Sequence, residues 1–190
     1  IGMRPERGVV GAAAGAEIIN DISGLRFDAS LAEVAARYGA GLILMHSRGD
    51  FEAMHSQPAV DDIFVEVSAD FQRSTALAAG HGAGEANIVL DIGIGFGKTF
   101  EQNLELIAGL GRLAGQFPQY PMMVGISRKS FIGRILADES GTPAPLEDRL
   151  HGTMSTITAA VLNGAHIIRV HDVKATFETI RVAESVKIRG

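Results

Sequence analysis

"VLDIGIGFGKTF", residues 89–100, ends like the phosphate-binding loop of a nucleotide-binding protein, and its reading decides which kind of α/β chain this is. Gly93, Gly95 and Gly97 alternate, then Lys98 and Thr99 follow. A Walker-type loop needs one more glycine five residues before the Gly-Lys-Thr end, so that backbone N–H groups can wrap the phosphates. Ile92 stands there. The dinucleotide fingerprint G-x-G-x-x-G fails as well, because Lys98 occupies its third glycine position. What remains is a strand, "IVLD" (88–91), leaving a sheet through a turn. In the plain reading the turn is merely flexible. In the functional reading it presents Asp91 next to bare backbone that a ligand can approach closely.

Outward from this stretch the pattern repeats. Short apolar runs end in polar residues at "EIIND" (17–21), "LILMH" (42–46), "MMVGIS" (122–127) and "HIIRVH" (166–171), and their brevity predicts buried strands. Helical faces lie between them: Leu31, Val34, Ala35 and Tyr38, closed by Gly39; Phe64, Val67 and Phe71, closed by Gly80; Leu106, Leu110 and Leu113; Met154, Ile157 and Val161, closed by Gly164; and Phe177 with Ile180. Three junctions read alike, "GAEII" (15–19), "GAGLI" (39–43) and "GAHII" (164–168), as one helix-to-strand connection used repeatedly. Alternating strands and helices imply a parallel sheet. The long variable segments, 47–60 and 128–148, follow strand ends, where a TIM barrel builds its site. A doubly wound sheet, the alternative, binds at the one crevice where strand order reverses. Here every strand end carries chemistry, which favours the barrel.

The chain's 190 residues suit one domain, and a hydrophobic content of 46% with 21% charged residues suits a packed core. With no cysteine, disulfides, zinc-thiolate sites and cysteine nucleophiles are excluded. The net charge of −5 argues against general nucleic-acid binding. No apolar run reaches the ~18 residues of a membrane helix. No signal peptide is visible; a cytoplasmic location is expected, with which the lack of cysteine agrees.

The strand ends offer Asn20, Asp21, His46, Asp91, Ser127, Arg169 and His171. Each has a plain reading: Asn20 and Asp21 as helix caps, His46 as a core histidine, Asp91 as half of a buried pair, and "SRKS" (127–130) as a solvated turn. The alternation in "RVHD" (169–172) puts Arg169 and His171 on one side of a strand, which suits an anion such as phosphate. Lys129, with Lys98 and Arg128, adds further cations. Asn20 and Asp91 suit a flat heterocycle with amino and amide edges.

At these residues the chain resembles the dihydropteroate synthases. The resemblance rests on "EIINDISGL" (17–25), "LILMH" (42–46), "LDIGIGFGKT" (90–99), "GISRKSFIG" (125–133) and "GAHIIRVHDV" (164–173), five motifs in order over nearly the whole chain. It implies a TIM (β/α)8 barrel, and a reaction joining 6-hydroxymethyl-7,8-dihydropterin pyrophosphate to 4-aminobenzoate with release of pyrophosphate, using Mg²⁺. By position, Asn20 and Asp91 would hold the pterin edge, and Met45 would pack beside the ring. Lys129 would contact the pterin and the aminobenzoate site, with Arg128 next to it. Arg169 would lie over the pterin and, with His171, bind the leaving pyrophosphate. Gly95 would let backbone approach the ring, and Phe96 and Ser127 would line the aminobenzoate pocket. By the same resemblance, Lys129, Arg169, His171 and Asp91 would be the catalytic set.

Two departures stand out. Ile92 replaces the proline the family commonly has after the aspartate. The match also begins partway through the family pattern: "MRPERG" (3–8) resembles the start of the helix after the third strand, and Ile1 and Gly2 stand where Asp-Thr should end that strand. The expectation is therefore a partial barrel over residues 1–190, a single pterin-binding domain carrying the units of strands four to eight. The Asn that binds Mg²⁺ in the family is then absent, and these residues alone are expected not to catalyse the reaction. The alternatives are a non-catalytic pterin-binding or interaction module and a methyltetrahydrofolate-type methyltransferase. Retention of Arg169 and His171 weighs against the methyltransferase. The family is often dimeric through its last helices, so a homodimer is also an expectation.

Overall fold

The computed structural model describes residues 11–49 and 57–189. The expected features at 1–8 lie outside the described residues. Five strands form one parallel sheet in sequence order: β1 Ile18–Asp21, β2 Gly41–Met45, β3 Ile88–Asp91, β4 Met122–Val124 and β5 Ile167–Ile168. No strand order reverses, so there is no doubly wound crevice among the described residues. The helices are α1 Ser30–Tyr38, α2 Ile63–Gly80, α3 Phe100–Ala108, α4 Leu110–Gln116, α5 Ser130–Ile135, α6 Leu150–Leu162 and α7 Val173–Lys187. Short 3₁₀ turns cover Glu85–Asn87 and Leu146–Arg149.

The repeated junction is one physical device. Gly15, Gly39 and Gly164 are all left-handed, with φ of 92°, 62° and 102°. After each, the alanine N–H reaches back five residues at 2.9 Å: Ala16 to Gly11, Ala40 to Ala35 and Ala165 to Ala160. This is the Schellman closure of a helix end. A fourth copy occurs at Gly82 (φ 85°), with Ala83 N–H on the Ala78 carbonyl at 3.0 Å. Thus α2 does not close at Gly80 as expected: Gly80 is its last residue and His81 its cap. At Gly39 an added Cβ would meet nothing within 4 Å, so Gly39→Ala tests conformation alone. It should cost about 1–2 kcal/mol in chemical denaturation. Gly115, inside α4 and equally open, should gain up to about 1 kcal/mol on replacement by alanine.

Strand alternation divides the sheet into two faces. Leu42, Leu44, Ile88, Leu90, Met122 and Val124 share the face packed on the helices, in register across β2–β4. Against them pack Ile63, Val67 and Phe71 of α2, Leu106 of α3, Leu110 and Leu113 of α4, and Ile157 of α6. Phe71 meets Phe117 edge to face, with ring centroids 5.6 Å apart. The other face carries Asn20, Ile43, Met45, Val89, Asp91 and Met123, and one register row runs Met45, Asp91, Met123, Ile167. β1 and β5 are the edges, where Ile18 is 60% and Ile167 38% exposed.

Three expectations need correction. The third helical face, Leu106–Leu113, is split at Gly109 into α3 and α4. A side chain at Gly109 would run into the Phe64 ring, which packs there. In α7 the buried positions are Thr176 and Ala183, with Ile180 partly buried; Phe177 is 61% exposed. The last strand pairs only over Ile167–Ile168, short of the expected 166–171.

Candidate active site

The site lies at the C-terminal ends of the strands. Asp91 ends β3 and is 1% exposed. Its Oδ1 accepts from the Gly93 N–H at 2.8 Å, while its Oδ2 is buried without a hydrogen-bond partner. The nearest cation is Arg169, whose Nη2 lies 4.0 Å from that free oxygen. Burial pushes the Asp91 carboxyl above the usual range, opposed by the Gly93 bond and by Arg169, Lys98 and Lys129. Gly93 must be glycine: its φ is 63°, and a Cβ would collide with the His46 carbonyl.

Asn20 and Asp21 divide their expected roles. Asp21 is structural: it accepts from Ser23 N–H (3.0 Å), Ser23 O–H (2.8 Å) and Leu25 N–H (2.5 Å). This holds the following turn, in which Leu25 sits at φ 65°. Neither residue caps α1, which has Ala29 at its N-cap. The Asn20 Oδ1, on the same sheet face as Asp91, is buried and unpartnered. Two open acceptors, an amide and a carboxylate, thus lie on one sheet face, two strands apart.

Arg169 and Lys129 lie around Asp91. The Arg169 guanidinium lies over Gly125, 2.8 Å from where a Cβ would stand, so only glycine leaves it room. Lys129 Nζ sits 4.2 Å above the Phe96 ring, with its stem along Gly95. Burial lowers the Lys129 pKa, and Asp91 opposes the change. His171 is exposed, and its Nδ1 meets Ser127 Oγ at 3.0 Å, so Ser127 serves His171 directly. Met45 is buried beside Asp91 in the register row.

Arg128 stands apart from the other expected substrate contacts. Its Nε and Nη2 form a fork on Asp172, both at 2.9 Å, and Nη1 donates to the Leu146 carbonyl at 3.0 Å. It ties the turn after β4 to the start of α7. Lys98, considered as an anion binder, donates instead to the carbonyls of Gly93, Phe96 and His46. His46 is a core histidine. Burial, then Lys98 and the arginines 26, 48 and 73, hold its pKa well below the ordinary value, so it is neutral.

Sequence reasoning missed Asn103, whose Oδ1 accepts from the Gly95 N–H at 2.6 Å while its Nδ2 donates to Thr99 at 2.7 Å. A buried asparagine three residues before Leu106, on an apolar helix face, was the available signal. It also missed Thr153, which receives the Arg128 N–H at 3.0 Å.

A hard divalent ion takes several oxygen ligands. Asp21 is fully committed and Asp91 has one open oxygen, and among the described residues no group of three or more His, Cys, Asp or Glu converges. No helix among the described residues is long and apolar enough to cross a membrane.

The sheet thus carries two open acceptors and flanking cations at its strand ends, groups able to hydrogen-bond to N–H donors and to pair with an anion. The family described as pterin binding enzyme matches residues 3–171, and the chain belongs to it. The dihydropteroate synthase of Synechocystis sp. is 42% identical over 173 residues, covering 91% of this chain and 57% of that protein. Among solved structures, Yersinia pestis dihydropteroate synthase in a sulfonamide complex superposes with a TM-score of 0.89 at 33% identity, covering 98% of this chain and 65% of the other. The Clostridium difficile dihydropteroate synthase determined in the presence of pteroic acid gives 0.85 at 33% identity, over 96% and 64%. The chain spans little more than half the length of the Synechocystis relative.

Proposed function

We propose that the chain forms the pterin- and pyrophosphate-binding part of a dihydropteroate synthase. The observation that carries this is the buried Asp91 with its open Oδ2, 4.0 Å from Arg169. A carboxylate so placed accepts from the amino and ring N–H groups of a pterin, and Asn20 supplies a second acceptor. Arg169, lying over Gly125, covers the ring and meets the pyrophosphate on its far side together with His171. In the reaction the aryl amine nitrogen forms a bond to the pterin methylene carbon as the carbon–oxygen bond to pyrophosphate breaks. The bonding electrons leave with pyrophosphate, and the amine proton goes to solvent. Arg169 and His171 stabilise the charge that develops on the leaving group. Lys129 and Phe96 border the place of the second substrate.

In this reading β1–β5 correspond to strands four to eight of the family barrel, and the exposed edges at Ile18 and Ile167 are where its remaining strands pair. A chain of these 190 residues should then release no pyrophosphate from dihydropterin pyrophosphate, 4-aminobenzoate and Mg²⁺. Turnover should appear when the N-terminal third of a relative is added as a separate chain. Substantial turnover by the 190 residues alone would show that the essential groups have been misassigned.

A further inference from the structure

We propose that Lys98 is a positioning residue of the pterin site: its ammonium, clamped by three carbonyls under the turn after β3, fixes the Asp91–Phe96 segment and keeps Asp91 ionised for the ligand. Lys98 Nζ donates to the carbonyls of Gly93 (2.8 Å), Phe96 (3.1 Å) and His46 (3.3 Å). An ammonium has three donors and no acceptor, so these contacts use it up and leave nothing for a substrate anion. The carbonyls come from two strand ends, His46 after β2 and the other two from the turn after β3. Gly93 is the residue whose N–H holds Asp91 Oδ1. The same peptide segment thus meets Lys98 through its carbonyl and Asp91 through its N–H. A neutral amine would aim a lone pair at one of the three carbonyls and loosen the set.

The charged groups around Lys98 come from every element packed on it. Asp91 of β3 and Asp70 of α2 favour its charged form, and Arg48 after β2 and Lys129 before α5 oppose it. Burial is the largest influence and brings its pKa from the usual 10.5 to about 7. His46, the other titratable group against it, is held neutral. Arg169, Lys98 and Lys129 are the cations that favour ionised Asp91. The Arg169 side chain is half-exposed and Lys129 rests on the Phe96 ring. Lys98 alone of the three is fixed by the turn itself.

The folded pKa of Lys98 lies below its ordinary value, so its charge is present below about pH 7 and lost above it. Asp91 is ionised only above its own raised pKa. Pterin affinity should therefore fall on both sides of an optimum.

The inference relies on the proposed function only for what binds, and the test separates the two. The Asp91 carboxyl carbon is followed by NMR against pH without ligand. In the wild type it should show a second inflection as Lys98 loses its proton; a single inflection overturns the proposal. In Lys98→Met, which keeps the stem and removes the charge, the Asp91 midpoint should rise by about one pH unit. A lowered Tm with an unmoved midpoint would make Lys98 merely structural and overturn the proposal. Affinity for pterin-6-carboxylate is then measured across the same pH range. Lys98→Met should lose the alkaline fall and bind about tenfold more weakly at neutral pH. Lys98→Arg, charged at every pH, should lose the alkaline fall and keep the acid one. If the Asp91 midpoint responds to Lys98 but no variant binds pterin at any pH, the coupling stands and the pterin reading fails.

Discussion

Replacing Arg169 with alanine is expected to weaken pyrophosphate binding about ten- to a hundredfold, measured by calorimetry. The basis is one charge-assisted contact, worth roughly 1.5–3 kcal/mol. Its only carboxylate neighbour within 4 Å among the described residues is Asp91, at 4.0 Å, and its side chain is half-exposed. The guanidinium therefore has donors to spare, and Gly125 provides the clearance that aims it. Gly125→Ala should reproduce part of the loss, because its methyl group would displace the guanidinium without touching the charge. If Arg169→Ala binds pyrophosphate as well as the parent does, the anion site lies elsewhere.

Asp91→Asn should separate binding from stability. The substitution turns an acceptor into a donor opposite ring N–H groups, a buried mismatch that should cost a pterin analogue ~10–100-fold in affinity, or ~1.4–3 kcal/mol. Stability without ligand should hold or increase. The folded pKa of Asp91 is raised, so the native state retains a proton that the unfolded chain has already lost. Ionised Asp91 thus subtracts from stability as pH rises from the ordinary carboxylate range through that raised value, and asparagine removes the penalty. Pterin binding in the parent should weaken as pH falls through the same value. A variant that unfolds more easily yet binds pterin normally would make Asp91 a structural carboxylate.

Much of the frame was legible because it depends on local rules. Buried parallel strands read as short apolar runs, and a left-handed residue after a helix demands glycine, so β1–β4 and the caps at Gly39 and Gly164 could be placed from the chain alone. The cap at Gly82 was missed because Gly80 offers the same signal two residues earlier, and only packing decides which glycine turns left-handed. The break at Gly109 was equally invisible, since it depends on where the Phe64 ring comes to rest. Among the site residues, Asn20 and Asp91 could be singled out as strand ends, because a short side chain stays where its strand puts it. Long cations could not. Arg128 and Lys98 occupy the right stretch of chain but extend toward Asp172 and toward three carbonyls that only the tertiary fold brings near. A charge next to a pocket in sequence marks where a side chain starts and says little about where its head group ends.

The most direct test of the pterin reading is a titration of the isotopically labelled chain with pterin-6-carboxylate, followed at the Asn20 side-chain amide and the Asp91 carboxyl. Both hold open acceptors, so both should shift together and saturably, with Arg169 Nε moving in step. Shifts confined to the apolar groove lined by Leu104, Ile135 and Leu136, with Asn20 and Asp91 unmoved, would contradict it.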